Sequence, residues 1–299
     1  EKGVLENSGY ERFTARLKAD YQATDWLHLL ANASYVHADR ESNPNLSNTN
    51  SNASNLGYFT QYISPIYPIY VRTIDANGNP VIATDRFGHP QYDFGVPATN
   101  FQGLNGRPFS QTGNPLGSNR YNKVNDILDQ LQGQLNFDVT FTPWLKFNST
   151  NSITLILSRF SHYENPFIGN AAATNGSIDK YTDVSYRWNY VQTLNAHKVF
   201  GLHDVQLMVG HEWYKMNKNF LEALARGGFS PAIQEINAFA DRYNSYSYQR
   251  NYNVEGYFAN FLYNFDQKYF AQASYRRDAS SRFAKKNRWG DFWSIGGAW

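Results

Sequence analysis

Apolar and polar residues alternate with period two through much of this chain, and that alternation leaves few folds open to it. Phe13, Ala15, Leu17, Ala19 and Tyr21 alternate with Arg12, Thr14, Arg16, Lys18, Asp20 and Gln22. Ile127, Leu131, Leu135, Phe137, Val139 and Phe141 alternate with Gln130, Gln132, Gln134, Asn136, Asp138 and Thr140, interrupted by Asp129 and Gly133. Successive side chains of a strand point to opposite faces, so each segment reads as a strand with one oily and one wet face. Seven weaker segments follow the same rule, marked by Leu27 to Tyr35, Leu145 to Leu157, Tyr186 to Ala196, Val205 to Trp213, Tyr252 to Phe265, Tyr269 to Tyr275 and Trp293 to Trp299. The pattern predicts nine strands. In the seventh segment the apolar phase switches near Gly256, which predicts a β-bulge there.

The connections take turns. Short ones fall at 23–25, 142–143, 200–203 and 264–267, and long ones at about 41–125, 159–184, 219–245 and 279–290. If consecutive strands pair antiparallel, every short turn lies on one rim and every long loop on the other, which is the anatomy of an outer-membrane barrel. Strand length agrees, since a strand of about 15 residues spans roughly 50 Å, against about 5–6 residues for a typical globular strand. The stretches 17–27 and 135–145 repeat Leu, Asp, Thr, Trp and Leu in register, and put Trp26 and Trp144 beside short turns, where a membrane interface favours an amphipathic ring.

Composition removes other classes. No apolar run approaches the roughly 20 residues of a transmembrane helix. Aromatic residues make up 17% of the chain, too much apolar surface for a disordered one. With no Cys there are no disulfides or thiolate metal sites, and a net charge of +2 gives no mandate for nucleic acid. The seven His are scattered without an HExxH pair, and no nucleophile elbow or phosphate-binding loop occurs, so neither catalysis, a metal nor a cofactor is expected. Arg276, Arg277, Arg282, Lys285, Lys286 and Arg288 crowd around Asp278 and read as a charged loop beyond a membrane in preference to a nucleic-acid patch. In the first long loop an Asn/Ser tract at 43–55 reads as solvated chain, and the DANGNP run at 75–80 reads as a tight turn between two short strands. The loop aromatics Tyr58, Phe59, Tyr62, Tyr67 and Tyr70 are either a cargo-stacking site or the small core that keeps the loop folded.

The last stretch, 257–299, closely resembles a recurrent barrel stretch of the SusC/RagA family of TonB-linked outer-membrane transporters of Bacteroidetes. The features that carry the resemblance are the turn NFDQKY at 264–269, the run RRDASSRF at 276–283, NRWG at 287–290 and the terminal Ala298 and Trp299. Looser likenesses are TDWL at 24–27, PIYP at 65–68, NGNP at 77–80 and GNPL at 113–116. The resemblance implies a barrel of 22 strands with an N-terminal plug, a SusD-like surface lipoprotein capping it, energy from TonB, and import of oligosaccharides or peptides. On that view 1–299 is a partial barrel domain, without plug or barrel C-terminus, that begins and ends in mid-pattern; 41–125 is its large extracellular loop. The rivals are a passive porin or adhesin barrel and a secreted carbohydrate-binding β-sandwich.

Overall fold

The structure, a computed structural model, describes residues 3, 7–42, 61, 65, 67–84, 88–94, 114–167 and 170–299. Its frame is one antiparallel sheet of nine strands in sequential order, with a separate two-stranded hairpin. The sheet strands are β1 (Gly9–Thr24), β2 (Leu27–Ser42), β5 (Lys123–Thr142), β6 (Leu145–Glu164), β7 (Ser177–Phe200), β8 (His203–Gly228), β9 (Phe239–Phe265), β10 (Tyr269–Ser280) and β11 (Trp289–Ala298). The hairpin is β3 (Arg72–Ile74) with β4 (Pro80–Ile82), and one short helix, α1, covers Pro115–Tyr121. The nine expected strands are present, and so is the alternation of short and long connections. Several strands run well past the alternating segments, however. β8 and β9 pair as far as Gly228 and Phe239, so the loops expected at 159–184 and 219–245 shrink to 165–176 and 229–238. Alternation fades there because no hydrocarbon has to be matched on either face of the outer strand ends.

The short turns share a construction. Trp26, Trp144 and Leu202 each stand one residue before a strand, and each carbonyl accepts an amide from the next hairpin: from Thr140 of β5, His197 of β7 and Asp266 just past β9. The sequence echo is therefore structural: a register shift falls at Gln22/Thr24 in one copy and at Thr140/Thr142 in the other, 118 residues apart. No shift occurs at Gly256. β9 pairs without interruption through Glu212↔Gly256 and Gly256↔Asp278, and its one irregularity lies opposite Leu224/Arg226. The expected bulge is thus corrected, and the phase switch has another cause, described below.

Cross-strand registers sort every strand residue onto one of two faces. Leu17, Ala33, Gly133, Ile153, Trp188, Lys215 and Asn253 form one continuous rung of the first face; Lys18, Asn32, Gln134, Ser152, Asn189, Tyr214 and Val254 form a neighbouring rung of the second. The first face is oily and bare. On interior strands Leu131 is 53% exposed, Ile153 45% and Leu207 44%, with no second protein layer over them among the described residues. Along β8 this face runs from His203 to Trp213, about 33 Å of strand, or about 25 Å of height at a tilt near 40°, the thickness of an outer-membrane apolar band. The sandwich rival fails here, because it requires a second sheet against these side chains.

Where the band ends on the long-loop side, charge begins. The next residue on that face is Glu11, His37, Asp129, Arg159, Lys215, Glu255, Arg277 and Asp291 on β1, β2, β5, β6, β8, β9, β10 and β11 respectively. Tyrosines of the band's upper edge reach into this collar: Tyr35 donates to Asp129 at 2.7 Å, Tyr257 to Glu255 at 2.7 Å and Tyr275 to Asp291 at 2.5 Å. An amphipathic ring with its hydroxyl in a polar layer is what a membrane interface selects. Among the described residues the conventional core is small, comprising Tyr163, Ile178, Ala225, Ala238 and Phe239 under the β8–β9 loop.

The first long loop has its own scaffold. Asp75 folds the β3–β4 turn by accepting the amides of Asn77 and Asn79 at 2.9 and 2.8 Å, while Gly78 supplies a φ of +82°. Those amides hold the Asp75 carboxyl below the ordinary carboxylate range, that of Asn79 most strongly. Asn114 caps α1 through Gly117, and its amide donates to the carbonyls of Ile69 and Asp93.

Candidate functional site

The second face is wet and bonded across strands. Near the short turns Asp20, His28, Asp138, Asn148 and Asn195 form a chain of side-chain hydrogen bonds across five strands at 2.6–3.2 Å. Such His–carboxylate pairs arise from register and were invisible as sequence spacing. No cluster of three or more His, Asp or Glu suited to a metal occurs among the described residues. Nearer the collar, Arg276 donates to both oxygens of Asp278 at 2.8 Å and to Glu212 at 2.8 Å. Gly256 makes room for this cluster: a Cβ there would meet the Asp278 carboxylate and the Arg276 guanidinium. Gly210 likewise admits the ring of its cross-strand partner Phe258.

Beyond this level the wet face turns aromatic and basic. Phe160, Tyr181, Phe220 and Tyr248, from β6, β7, β8 and β9, follow one another with ring centroids 4.7, 5.4 and 5.0 Å apart. That spacing matches the strand separation of about 4.8 Å, so the rings stand like leaves on adjacent strands and do not lie flat on the sheet. Below them, Tyr252 shares a rung with Arg187 and Met216, and Arg250 one with Ser185 and Lys218. Arg250 lies over Tyr248 at 4.7 Å. Arg282 lies over Tyr252 at 4.5 Å, placed there because the β10–β11 loop is bonded to both backbone groups of Asn253 through Ser281. Guanidinium on an aromatic face is a favourable pairing that leaves its N–H donors free at the edge.

This explains the phase switch in β9. From Tyr257 to Phe265 most of its large residues, Tyr257, Phe261, Tyr263 and Phe265, face the oily side, with Phe258 and Leu262 on the wet side; from Tyr246 to Tyr252 they face the wet side. The backbone is regular, and it is the environment that changes at the collar.

A carboxyl pair bounds the basic region on the loop side. Burial pushes the Asp179 carboxyl up to about 6, and the neighbouring Glu222 charge adds to the effect. His162 is the register partner of Asp179 on β6, and Tyr246 bonds Glu222 from β9. Asp126, one strand further along, is held by Arg40 at 3.2 Å.

The expected residues are distributed as follows. Tyr70 packs on Tyr92 at 4.8 Å and Tyr92 on Tyr121 at 5.8 Å, beside buried Val71 and Phe94, so Tyr70 belongs to the loop's own small core. Burial, with Tyr70's hydroxyl beside it, pushes the Tyr92 hydroxyl up to about 12. Tyr67 is half-buried, and Tyr58, Phe59 and Tyr62 lie outside the described residues. The basic run at 276–288 is not one patch. Arg276 serves the wet face, Arg277 turns outward to Asp291 at 3.7 Å, Arg282 covers Tyr252 and Arg288 donates to the Phe283 carbonyl. Tyr248, Arg250 and Arg187 were missed; the signal that could have found them was the reversed apolar phase upstream of Gly256.

Known proteins agree with this architecture. The chain is 32% identical over 147 residues to the TonB-dependent receptor SusC of Bacteroides thetaiotaomicron, an alignment covering 49% of this chain and 14% of that one. It is 24% identical to the TonB-dependent receptor P39 of Formosa agariphila across its whole length, which is 26% of that protein. The chain thus spans about a quarter or less of these relatives. Among solved structures, the RagAB peptide transporter superposes on 97% of the chain with a TM-score of 0.71 at 19% identity, over 30% of its own chain. The ferric citrate transporter FecA superposes on 98% with a TM-score of 0.50 at 9% identity, over 33% of its chain. These structural likenesses establish the fold, a run of consecutive outer-membrane barrel strands. No protein-family model matches the chain.

Proposed function

We propose that this chain, a segment of a SusC/RagA-type TonB-dependent receptor barrel of the bacterial outer membrane, forms part of the wall and outer vestibule of an importer of oligosaccharides or peptides. The observation that carries the proposal is the division of a single sheet into a bare oily face and a hydrogen-bonding face that turns aromatic and basic at its outer end. Lipid covers the first and cargo passes along the second. In the whole protein a plug closes the lumen, TonB withdraws it through segments outside this chain, and a SusD-like lipoprotein closes over the long loops. Of the loop aromatics, Tyr58, Phe59, Tyr62 and Tyr67 are the ones we propose to meet cargo or cap, whereas Tyr70 serves the loop's own core. No step is catalytic; selection is by binding and the work is done by energised plug movement.

Uptake by cells carrying the intact receptor tests this reading. Import of a labelled cargo should be saturable and should cease when TonB is disabled. Uptake that continues undiminished without TonB would favour the passive porin instead.

A further inference from the structure

We infer that the vestibule on this wall selects an anionic oligosaccharide, one carrying carboxylate or sulfate groups; the inference rests on the transport reading above and names its cargo. Three successive rungs of the wet face between β6 and β9 carry it. They read Thr154, Arg187, Met216 and Tyr252; Ile156, Ser185, Lys218 and Arg250; and Ser158, Asp183, Phe220 and Tyr248. Arg282 joins them from the β10–β11 loop. Four cations therefore face one carboxylate, Asp183, which Lys218 holds at 2.5 Å. Arg187, Arg250 and Arg282 have no carboxylate partner among the described residues, and Arg187, Arg250 and Arg282 are all exposed.

An uncompensated cluster of this kind is electrostatically costly to assemble; Arg12, Arg16 and Lys18 of the edge strand β1 likewise make no ion pair among the described residues, whereas Arg40 is paired with Asp126, Arg159 with Asp129, and Arg276 with Glu212 and Asp278. The cluster between β6 and β9 lies where the wet face opens toward the loops, with two of its guanidiniums stacked on tyrosines. A guanidinium stacked on a tyrosine is fixed in orientation and presents a planar fork of donors, the geometry that meets a carboxylate or sulfate through two parallel hydrogen bonds. Between the forks the wall offers neutral groups suited to hydroxyls, Thr154, Ser158, Ser185 and the Tyr248 and Tyr252 phenols, with Gln130 and Gln132 on the neighbouring strand. A hydroxyl-rich chain with periodic anionic groups matches that lining. A peptide would need apolar pockets for its side chains; the apolar groups of these rungs, Ile156, Met216 and Phe220, lie among the cations, and Phe220 is already packed between the Tyr181 and Tyr248 rings. Glu222 and Asp179, one and two rungs nearer the loops, reverse the sign and bound the anionic stretch.

The test uses the full-length receptor, purified in detergent and also expressed in cells. Binding is measured for oligogalacturonate, a chondroitin sulfate oligosaccharide, a malto-oligosaccharide of equal length and an oligoglutamate peptide. At least one acidic saccharide should bind tenfold or more tightly than the neutral one, with affinity falling steeply as salt rises. Preference for the galacturonate identifies carboxylate as the recognised group, and preference for the chondroitin fragment identifies sulfate. The double variant Arg187→Gln with Arg250→Gln should lose at least tenfold for the acidic saccharide and abolish its preference over the malto-oligosaccharide. Unaltered barrel migration on unheated gels confirms that the variant is folded. If it is not, Arg282→Gln, on the loop, takes its place with a smaller loss of severalfold. Equal or tighter binding of the neutral saccharide, tighter binding of the peptide, no binding of either acidic saccharide, or indifference to the substitutions would overturn the inference. TonB-dependent uptake of an uncharged cargo would sink this inference while leaving the transport reading intact, whereas loss of TonB dependence would sink that reading itself.

Discussion

The two halves of β9 have the same backbone and opposite chemistry. Tyr257, Ala259, Phe261, Tyr263 and Phe265 turn their bulk away from the lumen, whereas Tyr246, Tyr248 and Tyr252 turn theirs toward it. Glu255 and Gly256 mark the change, and they sit at the level of the charged collar. The difference teaches that phase along a strand reports what lies against each face. Below the collar the outer face must be oily because hydrocarbon covers it. Above the collar that constraint ends, and the outer face becomes an amide surface in which Asn217 donates to Asn251 and Asn219 to Asn217. The large aromatics move to the inner wall, where they buttress one another and hold guanidiniums in place.

Substitutions can break that contrast. Placing Arg on the oily face near the bilayer midplane, as in Leu135→Arg or Phe261→Arg, should cost about 2–4 kcal/mol, against much less for Gln134→Arg or Asn260→Arg on the wet face. Denaturant titrations of the receptor refolded into bilayers measure the difference, and equal penalties would refute the facing. A smaller effect is expected where glycine makes room on the inner wall. Gly210→Ala would drive a methyl into the Phe258 ring, and Gly256→Ala one into the Arg276–Asp278 pair, each destabilising by about 1–3 kcal/mol in the same assay. Tyr248→Ala, in the upper half, should cost about 0.5–1.5 kcal/mol of ring–ring contact beyond the buried area it removes, and should free Arg250 from its fixed pose.

The smallest effect is one of pH. The Asp179 carboxyl is raised to about 6 from an ordinary value of 3.8, so the folded state takes up a proton more readily than the unfolded one. Its penalty is present in full above about 6, diminishes as pH falls through that value, and vanishes below the ordinary carboxylate range. The outer ends of β7 and β8 should therefore exchange amide hydrogens more slowly, relative to the intrinsic rate, at pH 5 than at pH 7. Asp179→Asn should abolish that difference, and its persistence in the variant would assign the pH dependence elsewhere.

The lower half of the sheet was legible in the sequence because one physical demand, an oily face against lipid, writes itself as strict alternation in segments such as 12–22 and 127–141. The short-turn repeat was legible for a related reason, since Trp26 and Trp144 occupy one interfacial position in two hairpins. The outer ends were not. Past the collar no single demand rules either face, so Ser177 to Asp183 and Asn219 to Gly228 read as loop although they are strand. The candidate site was harder still, because Arg187, Lys218, Arg250 and Arg282 lie far apart in sequence and are joined only by register and by the Ser281 bond to Asn253. Gly256 misled for a specific reason: a glycine in a strand signals either a bulge or a close approach, and here a charged pair from the next strand fills the space.

The central claim, that hydrocarbon covers one face of this wall and a lumen the other, is tested most directly by single cysteines, since this chain contributes no thiol of its own. Fluorophores placed at Leu135, Leu207 and Phe261, and at Gln134, Gln206 and Asn260, are compared in the intact receptor in bilayers containing brominated lipid. The first three should be strongly quenched by the lipid and inaccessible to a water-soluble quencher, with the second three spared by the lipid. Quenching that fails to distinguish the two sets, or that falls on the second, would contradict the account.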